Sequence, residues 1–497
     1  MDTLSLLLGG FATVLQPSNL GFAFLGCLLG TMVGVLPGIG PAAGTAILIP
    51  VTSALDPTGS IIMLAAIYYG AMYGGTITSV LVNTPGEAAS AVTCLDGYQM
   101  ARAGRAGPAL AVAAIGSFIG GLVATAGLVV LALPLTRLAL TFGPPEIFAL
   151  LVVGLALVTA LASQSMVRAL IAAVLGMLIA QVGIDPVMGT NRFTFGWPEL
   201  FDGFSIVAVV MGLFGLGEIL SNVEAKTKNV FASRVGSLYL SRQDTRDSAG
   251  PIARGTFIGF FLGLIPGLGS MIPTFLSYAV EKRISKTPEK FGTGMIQGVA
   301  GPETANNSYA NAALIPLFTL GIPSSPTIAV LMGAFMVNGL IPGPTLFTEH
   351  PQFVWAVIAS LVVGNAMLLV LNLPLIPLWV RLLRVPYPIL VMVIVVFCVI
   401  GVYSINNSVF DIWVMLGFGI LGYALKKFDI PVAPLVLTLV LTPLMERALR
   451  QSLEMSGGEF GIFAERPLAL GLLALAAAAI ALSSLRSLRA LKVDSEV

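Results

Sequence analysis

Apolar residues run in blocks near 3–15, 19–36, 42–55, 60–82, 109–133, 146–162, 168–183 and 204–221. After a polar gap come blocks near 252–268, 270–281, 308–320, 326–341, 353–380, 387–402, 411–425, 432–445 and 467–485. A spanning helix needs about 20 apolar residues, so several blocks are too short to cross a bilayer alone. Those are expected as half-helices or re-entrant hairpins, because irregular backbone at membrane depth survives only beside protein or a water-filled cavity. The pattern predicts an all-α polytopic membrane protein with about 10–12 transmembrane helices plus broken segments.

Within this pattern one motif occurs twice. Gly26, Gly30, Gly34, Pro37, Gly38 and Gly40 match Gly255, Gly259, Gly263, Pro266, Gly267 and Gly269 at a shift of 229 residues, and Thr45 matches Thr274. Glycines four apart make a bare stripe that lets another helix approach closely. The P-G-x-G ending adds something else: proline removes a donor and glycine admits positive φ, so each helix is expected to break there. Matched interruptions in two hydrophobic halves are a sequence pointer to a transporter's substrate site. The following helix presents N-terminal amides that can hold an anion.

Composition agrees with lipid as solvent: 57% of residues are hydrophobic, 10% are charged and the mean hydropathy is +0.96. A formal net charge of +1 argues against nucleic acid as a partner. Cys27, Cys94 and Cys398 lie far apart and His350 is the single histidine, so neither a disulfide framework nor a metal site is expected. The N-terminus lacks the basic start of a secretory signal, and the first apolar block is expected to be retained.

The longest polar stretch, 222–254, carries Lys226, Lys228, Arg234, Arg242, Arg246 and Arg254 against Glu224, Asp244 and Asp247. Positive charge near span ends marks the cytoplasmic side. This stretch therefore reads as a cytoplasmic connector between a first membrane half, 1–221, and a second, 255–497. The tail, with Arg486, Arg489 and Lys492, is expected on the same side. Two halves that each open on the glycine motif suggest a two-fold internal repeat, read here as inverted.

A second pair of breaks is expected further on: Tyr73–Thr78 leading to Asn83-Thr84-Pro85-Gly86-Glu87, and Asn311–Leu314 leading to Gly321-Ile322-Pro323-Ser324-Ser325-Pro326. Between the second motif and its break lies G-P-E-T-A-N-N-S-Y-A-N, 301–311. Glu303, Asn306, Asn307 and Asn311 are costly in lipid unless they line a cavity or cap a helix. Either they start a capped helix in an aqueous loop, or they form a site for substrate or a coupling cation. Glu87 has the same two readings, as a coupling acid or as an ordinary first-turn residue. Asn338 and Asn365 read as helix contacts, and Glu218 and Asn222 as interfacial. The sequence holds no nucleophile, histidine and acid constellation and no G-x4-G-K-[ST] loop, so neither an enzyme nor a self-contained ATP-driven pump is expected.

G-T-M-V-G-V-L-P-G-I-G-P (30–41), Y-Y-G-A-M-Y-G-G-T-I-T-S (68–79), N-T-P-G-E (83–87), L-D-G-Y (95–98), G-L-I-P-G-L-G-S, G-P-E-T-A-N-N and T-L-G-I-P-S-S-P together resemble the large permease subunit of tripartite tricarboxylate transporters. The resemblance implies a secondary carrier of the bacterial inner membrane. It further implies a small four-helix membrane subunit and a periplasmic solute-binding protein as partners. Citrate-like di- or tricarboxylates would be the substrates, a Na⁺ or H⁺ gradient the drive, and an elevator-like movement the mechanism.

On this reading the amides of Gly38, Gly40, Gly267 and Gly269, with Asn83, Thr84, Ser324 and Ser325, bind carboxylates. Asn306 and Asn307 take substrate or coupling ion, and Glu303, Glu87 and Asn311 are the coupling-ion candidates. No other cofactor is expected. A membrane scaffold, whose stripes only pack helices, and an anion channel are the alternatives from other classes.

Overall fold

Proline and glycine mark many helix ends, as their backbone chemistry requires. The computed structural model describes residues 3–36, 39–161, 165–185, 188–225, 235–383 and 385–494. Proline opens helices at Pro17, Pro41, Pro57, Pro326 and Pro351. Left-handed residues close helices at Asn83 (φ 56°), Gly321 (φ 70°) and Asn407 (φ 51°).

The chain begins with α1 (Thr3–Val14), α2 (Pro17–Val35), α3 (Pro41–Thr52) and α4 (Pro57–Val82). A 3₁₀ turn, Ala88–Ala91, leads to α5 (Thr93–Arg102), α6 (Ala106–Ala139), α7 (Pro144–Leu161) and α8 (Met166–Ile179). A two-residue antiparallel ladder follows, β1 (Gly183–Ile184) against β2 (Asn191–Arg192). Then α9 (Ile206–Val210) passes through a π-helical turn, Met211–Leu216, into α10 (Gly217–Ala225).

Next come α11 (Arg242–Gly263), α12 (Met271–Ile284), α13 (Gln297–Ala312), α14 (Leu314–Leu320), α15 (Pro326–Val337) and α16 (Pro344–Glu349). The chain continues through α17 (Pro351–Asn372), α18 (Ile376–Leu382), α19 (Tyr387–Asn406), α20 (Val409–Lys427), α21 (Val432–Met455), α22 (Ile462–Glu465) and α23 (Pro467–Asp494).

Among the described residues eight helices are long and apolar enough to cross a membrane: Pro17–Val35, Pro57–Val82, Ala106–Ala139, Ile206–Glu224, Pro351–Asn372, Pro388–Asn406, Val409–Lys427 and Val432–Met455. That is fewer than the expected 10–12 spans. Further apolar helices, including α3 and α15, are only 10–17 residues long.

The glycine stripes pack helices. Gly26, Gly30 and Gly34 on α2 lie against the α4 backbone at Met63, Ile67 and Ala71, while Gly255, Gly259 and Gly263 on α11 lie against α13 at Gly301, Ala305 and Tyr309. A Cβ on Gly30 would stand 2.8 Å from Ile67 Cα, and one on Gly263 would stand 2.6 Å from Ala312 Cβ. Helix α4 lies at the centre of the core, buried almost continuously from Gly59 to Val82.

Three local expectations change. Tyr73–Thr78 is no break but the interior of α4: a Cβ on Gly74 would meet Gly34 Cα at 3.0 Å, so Gly74 serves close packing. Of the two readings of 301–311 the aqueous loop falls away, since the stretch is helical and buried in α13, and the expected Asn311–Leu314 break reduces to a step at Ala313. Residues 242–254, expected in the connector, form the first turns of α11, begun by a capping box between Ser241 and Asp244. Lys226, Lys228 and Arg234 lie outside the described residues, as do the side chains of Arg486, Arg489 and Lys492.

Candidate functional site

Helix α13 carries its polar side chains into the protein because each finds a partner on a helix distant in sequence. Glu303 Oε2 accepts from the Thr76 hydroxyl on α4 at 2.6 Å, and Oε1 accepts from the Thr93 hydroxyl at the start of α5. One turn on, Asn307 donates to Ser117 Oγ on α6 at 2.7 Å, and Ser117 donates to the Glu303 carbonyl at 3.3 Å. A further turn on, Asn311 donates to the Gly121 carbonyl of α6 at 2.9 Å.

Asn306, on another face, donates to Glu87 Oε1 at 2.5 Å. All five side chains are at most 5% exposed. The partners of both carboxylates are neutral hydroxyls and amides. The carbonyl oxygens of Asn306 and Asn311 have no hydrogen-bond partner. Glu87 also joins Ser90 in a capping box on the Ala88–Ala91 turn, so the helix-start role read from the sequence coexists with its contact to Asn306.

The later breaks meet each other. The Gly267 amide donates to the Ser324 carbonyl at 3.1 Å, and the Tyr309 hydroxyl donates to the same oxygen at 3.0 Å. Ser324 Oγ donates to the Ala313 carbonyl, and Ser325 Oγ caps α15 by accepting from the Ile328 amide. Positive φ at Gly267 (84°) and Gly269 (67°) demands glycine there. Gly40 is different: it caps α3 at φ −65°, and a Cβ on it would meet nothing within 4 Å. Neither packing nor backbone conformation explains that glycine.

Asn83, left-handed and exposed, and half-buried Thr84 stand outside the buried seam. Gly38 lies outside the described residues.

Sequence reasoning missed Thr93, Ser117 and Tyr73. Tyr73 donates to Asn365 Oδ1, and Asn365 donates to the Phe118 carbonyl at 2.8 Å, the helix contact expected of it. Asp96, in the L-D-G-Y motif, is a further case. Asp96 is fully buried, accepting from the amides of Gly292 (2.9 Å), Gly294 (2.8 Å) and Met295 (2.7 Å) and from the Tyr278 hydroxyl (2.8 Å). In both cases the hydroxyl or acid has its partner too far along the chain to be read from local pattern.

Long apolar helices around a seam of buried carboxylates and amides define a multi-pass membrane protein of the transporter class, where ionisable groups inside the helical core carry function. Residues 20–437 match the tripartite tricarboxylate transporter TctA family, and the chain belongs to it as the large membrane subunit. This is a family of transporters, not of enzymes. The chain is 49% identical over 476 residues to an uncharacterized 52.8 kDa protein in the TAR-I ttuC' 3'region of Agrobacterium vitis, covering 96% of this chain and 95% of that one. It is 48% identical over 217 residues to an uncharacterized protein in the TAR-II ttuC' 3'region of the same organism, covering 44% of this chain and 90% of the relative. No solved structure matches.

Proposed function

We propose that this chain is the permease subunit of a binding-protein-dependent secondary carrier of the bacterial inner membrane. It imports citrate-like di- or tricarboxylates, driven by a cation gradient, receives them from a periplasmic binding protein and works beside a small four-helix subunit. The observation that carries the reading is the buried seam, in which Glu87 and Glu303 meet residues from the opposite half of the chain through neutral partners alone. Buried carboxylates without a basic partner are costly unless they exchange a proton or face a cation. Carboxylate substrate is assigned to the open backbone at Gly40 and Gly269, to Gly38 and Gly267, and to Ser324 and Ser325. Asn83 and Thr84 would contribute from the second break, nearer the surface, and Asn306 and Asn307 from the buried seam.

The reading includes an inverted pair of hairpins and an elevator-like movement; the packing agrees with a two-fold relation between the halves. Helix α3, after the first break, packs on α15, after the fourth; α12, after the third, packs on the Ala88–Ala91 turn, after the second. Such an exchange is what a pseudo-two-fold axis between the halves would produce.

Uptake into proteoliposomes with the purified partners tests the assignment. Pro266→Ala and Asn307→Ala are expected to lower it strongly, and unchanged transport in both would overturn the site. A scaffold would give no saturable flux. A channel would give flux needing neither the binding protein nor an ion gradient.

A further inference from the structure

A cleft of about 240 Å³ opens where α6, α7, the 341–345 segment and α21 meet. Its walls are apolar, with Phe142, Leu151, Ile322 and Ile341 among them. Ile147 and Ile341, 41% and 57% exposed, stand at its mouth, while Gly321 and Pro342 are buried within. Two helices long and apolar enough to cross a membrane meet here: α6 contributes its last residue, Ala139, and α21 its C-terminal half. The cleft therefore lies level with the edge of the bilayer's hydrocarbon core.

The lining residues of α21 are Leu444, Arg447, Ala448 and Gln451, which recur at three and four residues and so share one helix face. Arg447 is exposed and, among the described residues, forms no ion pair. Carboxylates do stand near it in sequence and in the cleft wall, but they are taken. Glu446 holds Arg192 at 2.8 Å and Arg450 at 2.7 Å, and Glu146, beside Ile147, holds Arg466 at 3.1 Å. One uncompensated guanidinium thus stands at the rim of an apolar slot.

A small anion would use the guanidinium and leave the apolar walls uncovered, and a plain hydrocarbon chain would do the reverse. An anionic amphiphile satisfies both, and at this depth the surrounding bilayer supplies one. We infer that the cleft binds a single anionic phospholipid, its phosphate on Arg447 beside Gln451 and an acyl chain along the apolar walls. Arginine suits this role because its planar fork matches phosphate oxygens bidentately. A zwitterionic head group is a poorer fit, since its own cation would be brought back toward Arg447.

The bound lipid would touch the turn that leads to Ser324. Gly321 holds φ 70° there, and a Cβ on it would stand 2.7 Å from the Pro342 carbonyl, so the turn is seated directly on the cleft's other lining segment. Lipid binding stands on the cleft alone; any consequence for transport rests on the reading above.

The test is the melting temperature of the purified chain in detergent micelles doped with phosphatidylglycerol or phosphatidylcholine, with native mass spectra taken in parallel. Phosphatidylglycerol should give a saturable rise of a few degrees, larger than phosphatidylcholine at equal mole fraction. Arg447→Gln should raise the half-saturating mole fraction about fivefold, the worth of one basic residue beside an anionic lipid. Should that variant fail to fold, Arg447→Lys, which keeps the charge but loses the fork, reads the same quantity. Arg283→Gln, at an exposed position outside the cleft, should change nothing. The spectra should show phosphatidylglycerol retained on the unmodified chain and lost from Arg447→Gln.

Equal stabilisation by the two lipids, or unchanged half-saturation in the Arg447 variant, overturns the site. So does equal stabilisation by glycerol phosphate, which would make Arg447 a site for a free anion. A protein chain retained in place of the lipid would overturn it as well.

Discussion

Asn306 on α13 hands its side-chain amide to Glu87 at 2.5 Å across 219 residues of sequence, joining the two halves of the chain inside the protein. Removing that donor strands a carboxylate that is only 5% exposed. Asn306→Leu is therefore expected to destabilise the protein by about 1–3 kcal/mol. In a double-mutant cycle with Glu87→Gln, unfolding in detergent should show a coupling of about 0.5–3 kcal/mol. Strict additivity would mean that the two residues do not interact.

Glycines in the two motifs do different jobs, and alanine separates them. Gly30→Ala drives a methyl into the α4 backbone, which cannot yield as a side chain can, and should cost about 1–3 kcal/mol or more. Gly269→Ala meets open space but holds φ 67°, so its cost should be the backbone strain alone, about 1–2 kcal/mol. Gly40→Ala has neither problem and should leave the melting temperature unchanged while lowering carboxylate uptake. Full uptake in Gly40→Ala would remove this residue from the substrate site.

Asp96 gathers three amides of the 292–295 loop and the Tyr278 hydroxyl onto one carboxylate. Asp96→Ala leaves those amides without their acceptor and should loosen the segment between α12 and α13. Limited proteolysis should then cut between 285 and 296 much faster than in the unmodified chain, while equal rates would show that the loop holds without it.

The polar N-terminal turn of α11 should be sensitive to acid. Burial of Asp244 works against its ionisation, but the Ser241 hydroxyl and amide and the Arg105 guanidinium outweigh it and hold the carboxyl below the ordinary aspartate range. A folded-state pKa that is lowered contributes stability present at neutral pH and lost as pH falls below about 4. The difference in melting temperature between the unmodified chain and Asp244→Asn should accordingly be largest near pH 7 and shrink toward pH 3. A difference constant with pH would contradict this.

Helix positions were largely legible because lipid leaves a local signature: the blocks at 19–36, 60–82 and 411–425 became α2, α4 and α20 almost end for end. Local pattern failed where a residue's reason lay elsewhere in the chain. Gly74 and Gly75 look like a loop until the tight approach of α2 is known, and the run from Glu303 to Asn311 reads equally as an aqueous turn or a buried site until Thr76, Thr93, Glu87, Ser117 and Gly121 are placed around it. Glu87, Glu303 and the asparagines could be named as candidates from their cost in lipid. Thr93 and Ser117 could not, since a hydroxyl in an apolar helix is cheap and common.

The stripes on α2 and α11 have a mechanical meaning as well. Where a backbone meets a backbone with no side chain between, two helices cannot slide lengthwise without steric collision at every turn, because the next residue along α2 or α11 is seldom another glycine. Each pair, α2 with α4 and α11 with α13, is therefore a stiff double strut. Whatever rearrangement this protein undergoes is channelled away from those seams and into the joints at their ends, where the chain turns at Gly40 and at Gly267 and Gly269.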